Sequence, residues 1–303
     1  SDWTARLLAP KSYYAPLAKK VSSTLADAII AEKLPGIYTS PEEYRFYPEE
    51  DLGGNVLGFV GSDKSGKLIG RYGLERYFEQ ELAGKGGFVA GMRGARGSWI
   101  SPNQRTFIEA EDGADLVLTI DRTLQFKACE RLRAGLQEYE AVSGALVLMN
   151  AKTGAILAMC SLPDFDPNNY SKVEDSSAFN NTTVFTPYEP GSVFKPIGMG
   201  AAIDSGIVSP NTTFTDPCTR VINGYTIRNA DGKCYGLQTM TQVLENSVNT
   251  GMIWVEEKLG RERFKEYVGK FGFGKRTGVT LSGEASGDIS SLDKKGAIFG
   301  AVG

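Results

Sequence analysis

A change in sequence texture near Gly113 constrains the fold of this chain more than any other feature. Between Ile37 and Gly113, short runs of β-forming residues are broken by glycines, as in GNVLGFVGSDKSG and GMRGARGSW, and glycine supplies turns that other residues resist. After Asp115, a predicted strand, a predicted helix and an apolar hairpin follow one another. The change therefore predicts an α+β chain of two domains, residues 1–112 and residues 113–303.

The first domain is predicted to be β-rich after a helical start. Apolar positions recur at helical spacing in YYAPLAKKVSSTLADAIIAEKL, and this stretch ends at Pro35 and Gly36. Such a pattern predicts one amphipathic helix within about the first 34 residues. The glycine-broken runs that follow predict short strands.

The second domain is predicted to contain an apolar hairpin and several helices. Asp121 is placed to cap the first helix, and SGALVLMNAKTGAILAMCS consists of two apolar strands joined by NAKTG. Hydrophobicity on both sides of these strands predicts a central place in a covered sheet. After a long polar loop, helices are predicted from Ser192 to Gly206, in two pieces over residues 239–260 with a break near NSVNTG, and in RERFKEYVGKFGFG.

The charge balance argues against nucleic acid as a partner. The 303 residues carry 33 basic and 36 acidic side chains, mixed along the sequence, so no basic patch is available to neutralise many phosphates. No apolar run approaches the roughly 18 residues that cross a bilayer. The start, SDWTARLLAP, lacks the charged-then-apolar order of a signal peptide. Any targeting or anchoring segment is therefore expected outside these residues.

The four cysteines, Cys129, Cys160, Cys218 and Cys234, show no CxxC spacing, and no histidine is present to complete a mixed zinc site. The sequence thus predicts no metal and no cofactor. Cys218 and Cys234 flank a segment whose Asn-Gly resembles a hairpin turn between β-rich runs. Either they form a disulfide in an oxidising compartment, or they are two unpaired small hydrophobic residues; a count of free thiols would distinguish the two.

Ser192 and Lys195 lie three positions apart in YEPGSVFKP. On a helix, residues i and i+3 share a face, so the lysine amine would reach the serine hydroxyl. The serine also stands at a predicted helix N-terminus, which favours developing negative charge. Without histidine a Ser-His-Asp triad is excluded, and the lysine acts as base only if a dry pocket lowers its pKa. The alternative is a helix-capping serine with an exposed lysine one turn later.

Ser247 and Asn249 form the second candidate pair. In ENSVNTG they present a hydroxyl and a carboxamide two residues apart at a predicted helical break. Both would reach into a cleft, the serine relaying protons near the lysine and the asparagine hydrogen-bonding an amide substrate. Taken alone, the tripeptide is better explained as a turn rich in Ser and Asn.

The combination of SxxK and SxN resembles the signature of penicillin-recognising serine enzymes. YEPGSVFKP is similar to the active-site stretch of class B penicillin-binding proteins, the monofunctional peptidoglycan transpeptidases. RFYPEEDLGGNVLGFVG and GLERYFEQELAGKGG resemble the family's non-catalytic pedestal, or dimerisation domain. DLVLTIDRTLQ, GALVLMNAKTGAILAMCSLPDFDPN and FGFGKRTGV resemble its β-lactamase-like transpeptidase domain, in which helices cover a central antiparallel sheet. The resemblance covers nearly the whole chain.

The resemblance implies a role for each of the four candidate residues. Ser192 would be the acylated nucleophile, with its backbone N–H as one oxyanion donor, Lys195 its activating base, and Ser247 and Asn249 the second motif. The implied substrate is a peptidoglycan stem pentapeptide ending in D-Ala-D-Ala, and β-lactam antibiotics would acylate the same serine. The implied location is the bacterial cell membrane, with an extracytoplasmic catalytic domain and a membrane glycosyltransferase among its wall-synthesis partners.

The sequence departs from the family pattern at the third motif, K[ST]G, which should follow SxN at a long interval. No such tripeptide occurs between Asn249 and Gly303. The KTG at residues 152–154 precedes the serine and suits an exposed turn. The KRTG at residues 275–278 is interrupted. Neither is expected to act in catalysis.

Because this motif and the family's membrane anchor are both missing, we expect both ends of the chain to be cut. In the family the missing part completes the central sheet, so an apolar strand edge is expected to be exposed and to favour aggregation. These 303 residues alone are expected to be acylated poorly or not at all.

Other functions stay open at this point. A cell-wall scaffold or penicillin sensor would keep both motifs without turnover. A serine β-lactamase would share Ser192 and Lys195, but it needs rapid deacylation and has little use for a pedestal. A bifunctional class A enzyme is disfavoured because residues 1–113 lack the acidic and histidine-bearing motifs of a glycosyltransferase. Division and elongation roles are not distinguished.

Overall fold

The computed structural model describes residues 16–42, 44–90 and 106–293, and the chain divides into two compact units, residues 1–48 and residues 49–303. In the first unit, the described residues form one helix, α1 (Ser23–Ala31), whose N-terminus is capped by the Ser22 hydroxyl. The predicted N-terminal helix is therefore confirmed over α1 only. Its part before residue 16, and the GMRGARGSW run, lie outside the described residues.

The second unit combines short helices with antiparallel strand pairs. Its α-helices are α2 (Gly54–Leu57), α3 (Gly73–Tyr77), α4 (Glu79–Leu82), α5 (Arg122–Glu138), α6 (Thr182–Phe185), α7 (Lys195–Asp204), α8 (Met240–Glu245), α9 (Asn249–Leu259) and α10 (Arg261–Lys270). Its strands are β1 (Phe59–Ser62), β2 (Leu68–Arg71), β3 (Phe88–Ala90), β4 (Thr106–Ile108), β5 (Gly144–Met149), β6 (Ile156–Leu162), β7 (Thr213–Thr215), β8 (Thr219–Ile222), β9 (Tyr225–Arg228) and β10 (Leu237–Thr239).

The strands pair as β1–β2, β3–β4, β5–β6, β7–β10 and β8–β9, all antiparallel. This mixture of helices and antiparallel strands confirms the predicted α+β class. The predicted domain boundary between residues 112 and 113 stays a prediction. None of the helices in the described part of the chain is both long enough and apolar enough to span a bilayer.

The predicted apolar hairpin is β5–β6, and α5 covers it. The Asn150 carboxamide oxygen accepts hydrogen bonds from the amides of Lys152 and Thr153 in the NAKTG turn. In α5, the Gln125 side chain bonds both the N–H and the C=O of Met159 in β6, at 2.8 and 2.7 Å. The Gln125 carboxamide therefore makes the two hydrogen bonds that a neighbouring strand would otherwise make with Met159. Both the buried N–H donor and the buried C=O acceptor of Met159 are satisfied in this way.

The sequence predicted a central place for this hairpin in a covered sheet, and the structure differs from that prediction at β5. Among the described strands, β5 and β6 pair only with each other. β6 is buried from Ala158 to Leu162, but β5 leaves Val147 and Met149 about half exposed, at 43% and 52%. The apolar composition of β5 predicts a covered strand, whereas the described residues bury most of β6 and leave much of β5 exposed.

The end of β6 is tied to α2 through Asp164, which follows the cis Leu162-Pro163 bond. Its carboxylate accepts hydrogen bonds from the amides of Gly53, Asn55 and Phe165 at 2.8–3.1 Å. Burial raises the pKa of Asp164 to about 6. At Gly54 an added Cβ would lie 2.0 Å from the Phe165 carbonyl oxygen, so this close approach requires glycine.

Helices α7, α8 and α9 pack around one apolar core that positions the candidate site. Met199 and Ala202 of α7, Val243 of α8 and Met252 and Val255 of α9 are fully buried in it. α9 approaches α8 closely because it presents Gly251 to Val243, where a Cβ would meet a methyl group at 2.8 Å. This packing fixes the start of α7 beside the start of α9.

Candidate active site

Ser192 lies in a single 3₁₀ turn, Gly191–Phe194, that leads directly into α7. The sequence predicted a helix beginning at Ser192, and its first turn is therefore 3₁₀ rather than α. Pro196 is absorbed in the first turn of α7, as predicted, because that position needs no amide hydrogen bond. The Ser192 side chain is exposed at the surface.

Lys195 is buried, with only 2% of its surface exposed. Its Nζ donates to the Ser247 carbonyl oxygen at 2.8 Å, to the Ser247 Oγ at 2.9 Å and to the Asn249 Oδ1 at 2.5 Å. These acceptors match the three N–H donors of an ammonium group. The alternative of an exposed surface lysine is therefore wrong, and the structure brings three of the four predicted site residues together.

Burial lowers the pKa of Lys195 to about 8. Near pH 7, roughly a tenth of the amine is then neutral, whereas an ordinary lysine is almost wholly charged. A neutral amine has a lone pair, and the Ser247 hydroxyl can reverse its hydrogen bond to donate to it. The arrangement can thus both accept a proton and pass one on.

Ser192 is the exception among the predicted site residues. Within the described part of the chain, its hydroxyl makes no hydrogen bond to the Lys195 amine or to Ser247. Ser192 and Lys195 are three positions apart, but the Ser192 side chain is directed to the surface and the Lys195 side chain to the interior. A ligand that approaches the surface at Ser192 would therefore contact the serine hydroxyl before the Lys195 amine.

The helical break predicted near NSVNTG is confirmed, and it creates the second half of the site. Ser247 lies between α8 and α9 with a φ of +50°, a left-handed conformation that non-glycine residues adopt at a cost of roughly 1–3 kcal/mol. Its amide bonds the Leu244 carbonyl at 3.0 Å, which closes α8. This conformation points both the carbonyl and the hydroxyl of Ser247 at Lys195.

The orientation of Asn249 is set by its second carboxamide atom. The Nδ2 group donates to the Arg228 carbonyl at the end of β9, at 2.8 Å. The Oδ1 atom must then face the Lys195 amine. Sequence analysis did not identify Arg228 as a neighbour of this site.

The Cys218–Cys234 disulfide is formed, with Cα atoms 4.7 Å apart, and it closes the β8–β9 hairpin at its base. The alternative of two unpaired residues is wrong. A second disulfide, Cys129–Cys160, joins α5 to β6 and was not predicted. None of the four cysteines, all within the described residues, is free.

Two segments that resemble the third motif lie away from the candidate site. The KTG at residues 152–154 forms the exposed turn of the β5–β6 hairpin. In the KRTG at residues 275–278, the Thr277 amide and hydroxyl both bond the Glu284 carboxylate. Among the described residues, neither segment hydrogen-bonds any of the four predicted site residues.

Comparison with known proteins gives matches over nearly the whole chain. The family model of the penicillin binding protein transpeptidase domain matches residues 144–301, and that of the penicillin-binding protein dimerisation domain matches residues 5–118.

Individual relatives give the same result. Stage V sporulation protein D of Bacillus subtilis is 35% identical over 284 residues, which cover 93% of this chain and 43% of that protein. The peptidoglycan D,D-transpeptidase FtsI of Escherichia coli K12 is 32% identical over 278 residues, covering 92% and 46%. The chain thus spans less than half the length of these relatives.

A solved structure is also similar. Penicillin-binding protein 3 of Mycobacterium tuberculosis, complexed with aztreonam, superposes with a TM-score of 0.70 at 30% identity. The superposition covers 86% of this chain and 53% of that one.

Proposed function

The chain belongs to the class B penicillin-binding protein transpeptidases, and on that premise we propose that it cross-links peptidoglycan stem peptides through an acyl-enzyme on Ser192. The observation that carries the proposal is the buried Lys195 amine, held by Ser247 and Asn249 one helical turn from Ser192. A low-pKa amine at this place is what a serine nucleophile needs in a chain without histidine.

The proposed reaction has two steps. The Ser192 hydroxyl attacks the carbonyl carbon of the penultimate D-Ala, and its proton passes to the Lys195 amine. The bond to the terminal D-Ala then breaks, and the leaving amine takes a proton relayed from Lys195 through Ser247. In the second step, an amine of a neighbouring stem peptide attacks the ester carbonyl carbon and forms an amide bond. The ester C–O bond breaks, and the surplus proton of the amine passes by way of Lys195 to the Ser192 oxygen. β-Lactams would acylate the same serine, but the amine released by ring opening stays attached to the acyl group.

Labelling with benzylpenicillin tests the proposal. We expect one penicillin adduct by intact-mass spectrometry, located at Ser192 by peptide mapping. Ser192→Ala should abolish the adduct, while Ser205→Ala, at the other end of α7, should retain it. An adduct that persists in Ser192→Ala, or that maps to another residue, would overturn the assignment of the nucleophile.

We also infer that these 303 residues react slowly on their own. Their sequence has no K[ST]G after Asn249, and the described strands leave one edge of β5 unpaired. The rate of labelling should therefore be compared between these 303 residues and a full-length relative, the FtsI protein of Escherichia coli K12. Stoichiometric labelling of the 303 residues at the rate of that relative would refute this inference.

The same family membership supports a proposal for location and partners. We place the protein at the bacterial cell membrane with its catalytic domain outside the cytoplasm, together with a membrane glycosyltransferase and other wall-synthesis proteins. Co-purification from detergent-solubilised membranes tests the assignment, with a Ser192→Ala protein as a control for activity-independent association.

A second candidate is a penicillin sensor or wall scaffold, which would use the same Ser192 and Lys195 pair. Such a protein would be acylated stably without transferring the acyl group. Normal growth of cells carrying Ser192→Ala, together with an adduct that acceptor amines do not remove, would favour this function over transpeptidation.

A further inference from the structure

A buried polar cluster lies directly behind the candidate site, and the proposed reaction does not use it. Its centre is Asp216, which follows β7 and is 6% exposed. Asn229 follows β9 and is 4% exposed, and Thr250 follows Asn249 in α9 and is wholly buried. A carboxylate among buried groups is costly unless it is fully hydrogen-bonded.

Asp216 meets that condition. Its Oδ1 accepts from the Cys218 amide at 2.8 Å and from the Thr250 hydroxyl at 2.6 Å. Its Oδ2 accepts from the Asn229 carboxamide at 2.8 Å and from the Tyr235 amide at 2.9 Å. Burial pushes the pKa of Asp216 upward, but the hydrogen bonds from Thr250, Tyr235, Cys218 and Asn229 outweigh it, so the pKa falls below its usual value.

The cluster reaches the candidate site through the first turn of α9. The Thr250 hydroxyl is held by Asp216, and the Thr250 amide donates to the Asn229 Oδ1 at 3.2 Å. The preceding residue, Asn249, donates its Nδ2 to the carbonyl of Arg228, which precedes Asn229. Asn249 and Thr250 of α9 are therefore hydrogen-bonded to Arg228 and Asn229 at the end of β9. The Asp216 carboxylate accepts hydrogen bonds from one member of each pair, Thr250 and Asn229.

We propose that Asp216 is a positioning residue, which holds Thr250 and Asn229 so that Asn249 and Ser247 present their oxygens to the Lys195 amine. It touches none of the reacting atoms itself. The inference rests on the function proposed above, since it assigns to Asp216 the task of arranging that reaction's proton-transfer groups.

A carboxylate suits this task better than any neutral side chain. All four groups that face Asp216 are donors, and an ionised carboxylate has acceptor sites only. An asparagine would turn an NH₂ group toward donors, and an apolar residue would leave buried donors unpaired. Either change should let the start of α9 move and admit water to Lys195.

The experiment uses two substitutions at Thr250 that differ in one hydroxyl. Thr250→Val has nearly the same shape but cannot donate to Asp216, and Thr250→Ser keeps the donor. The amine of Lys195 is followed by ¹⁵N NMR in lysine-labelled protein, with Lys195→Met used to assign its signal. Asp216→Asn is the second perturbation, and circular dichroism checks that each variant is folded.

We expect Thr250→Val to raise the pKa of Lys195 by about one unit or more, toward that of a solvated lysine, as water reaches the amine. Asp216→Asn should raise the pKa of Lys195 less, because it also removes a buried negative charge that favours the ammonium form. Thr250→Ser should leave it unchanged. A folded Thr250→Val protein with an unchanged Lys195 titration would overturn the proposal. Loss of the fold in both perturbed variants would also overturn it, since Asp216 would then serve folding rather than positioning.

Penicillin labelling of the same samples separates this inference from the proposed function. If the unaltered protein is labelled, Thr250→Val should lower the acylation rate constant by about tenfold or more while the dissociation constant of penicillin changes little. If the unaltered protein is not labelled even after prolonged incubation at high penicillin concentration, the proposed function fails. The NMR titration still decides whether Asp216 positions Asn249 and Ser247.

Discussion

The depressed pKa of Lys195 makes a quantitative prediction about stability. The perturbation is Lys195→Met, which keeps a side chain of similar length and removes the amine. In the folded protein the amine titrates near pH 8, whereas in the unfolded chain it titrates at about 10.4. The unfolded state therefore binds more protons between these two values, so the stability of the protein increases as the pH rises through 8.

The magnitude follows from the two pKa values. Between about pH 7 and pH 9.5, the Lys195 amine should add about 2 kcal/mol to the free energy of unfolding, and the gain should disappear as the pH falls back through 8. In Lys195→Met this contribution is absent. The difference in stability between the two proteins should therefore change by about 2 kcal/mol over that range.

Urea unfolding followed by tryptophan fluorescence measures the difference at several pH values. All other titrating groups are shared by the two proteins and cancel in the comparison, provided that the m-values agree. Lys152→Met, in the exposed turn of the β5–β6 hairpin, controls for the loss of one positive charge. If the difference in the free energy of unfolding between wild type and Lys195→Met stays constant within about 0.5 kcal/mol from about pH 7 to about pH 9.5, the Lys195 amine is not desolvated and the reasoning is refuted.

Two further predictions concern the junction between α2 and the end of β6. Because burial raises the pKa of Asp164 to about 6, the folded protein binds the extra proton, and stability should fall by about 2 kcal/mol as the pH rises from about 4 to 7. Urea unfolding should show that Asp164→Asn removes this decline, and an unchanged pH profile would contradict it. Gly54→Ala should destabilise the protein by about 2 kcal/mol or more, since its Cβ meets the Phe165 carbonyl. Gly200→Ala, in α7 with open space around the added Cβ, should instead stabilise it by about 0.5–1 kcal/mol in thermal unfolding. Equal changes in the two glycine variants would contradict the crowding argument.

The sequence allowed the local features of the candidate site to be predicted because each depends on neighbours along the chain. The break around Ser247, the position of Pro196 and the cap at Asp121 follow from turn, proline and capping chemistry. The pairing of SxxK with SxN depended on a family resemblance, and the roles of the four residues stay predictions.

The partners across the fold could not be predicted in the same way. Asp216 and Thr250 lie 34 residues apart, as do Gln125 and Met159. Hydrophobic periodicity indicates which face of an element is buried, but it does not specify which buried polar group meets another. The contact between Asp216 and Thr250 of α9 is of this kind and required the folded chain.

The Cys218–Cys234 disulfide links the geometry around Asp216 to the redox environment of the chain. Cys218 donates its amide to Asp216, and Tyr235, the next residue after Cys234, does the same. The two donors are therefore brought to one carboxylate by a covalent bond that forms only under oxidising conditions. In protein produced in a reducing cytoplasm, the Cys218–Cys234 bond should be absent and the position of Asn249 less well fixed, even where the helical core is complete. Oxidation of the hairpin therefore fixes two of the four donors that surround the Asp216 carboxylate.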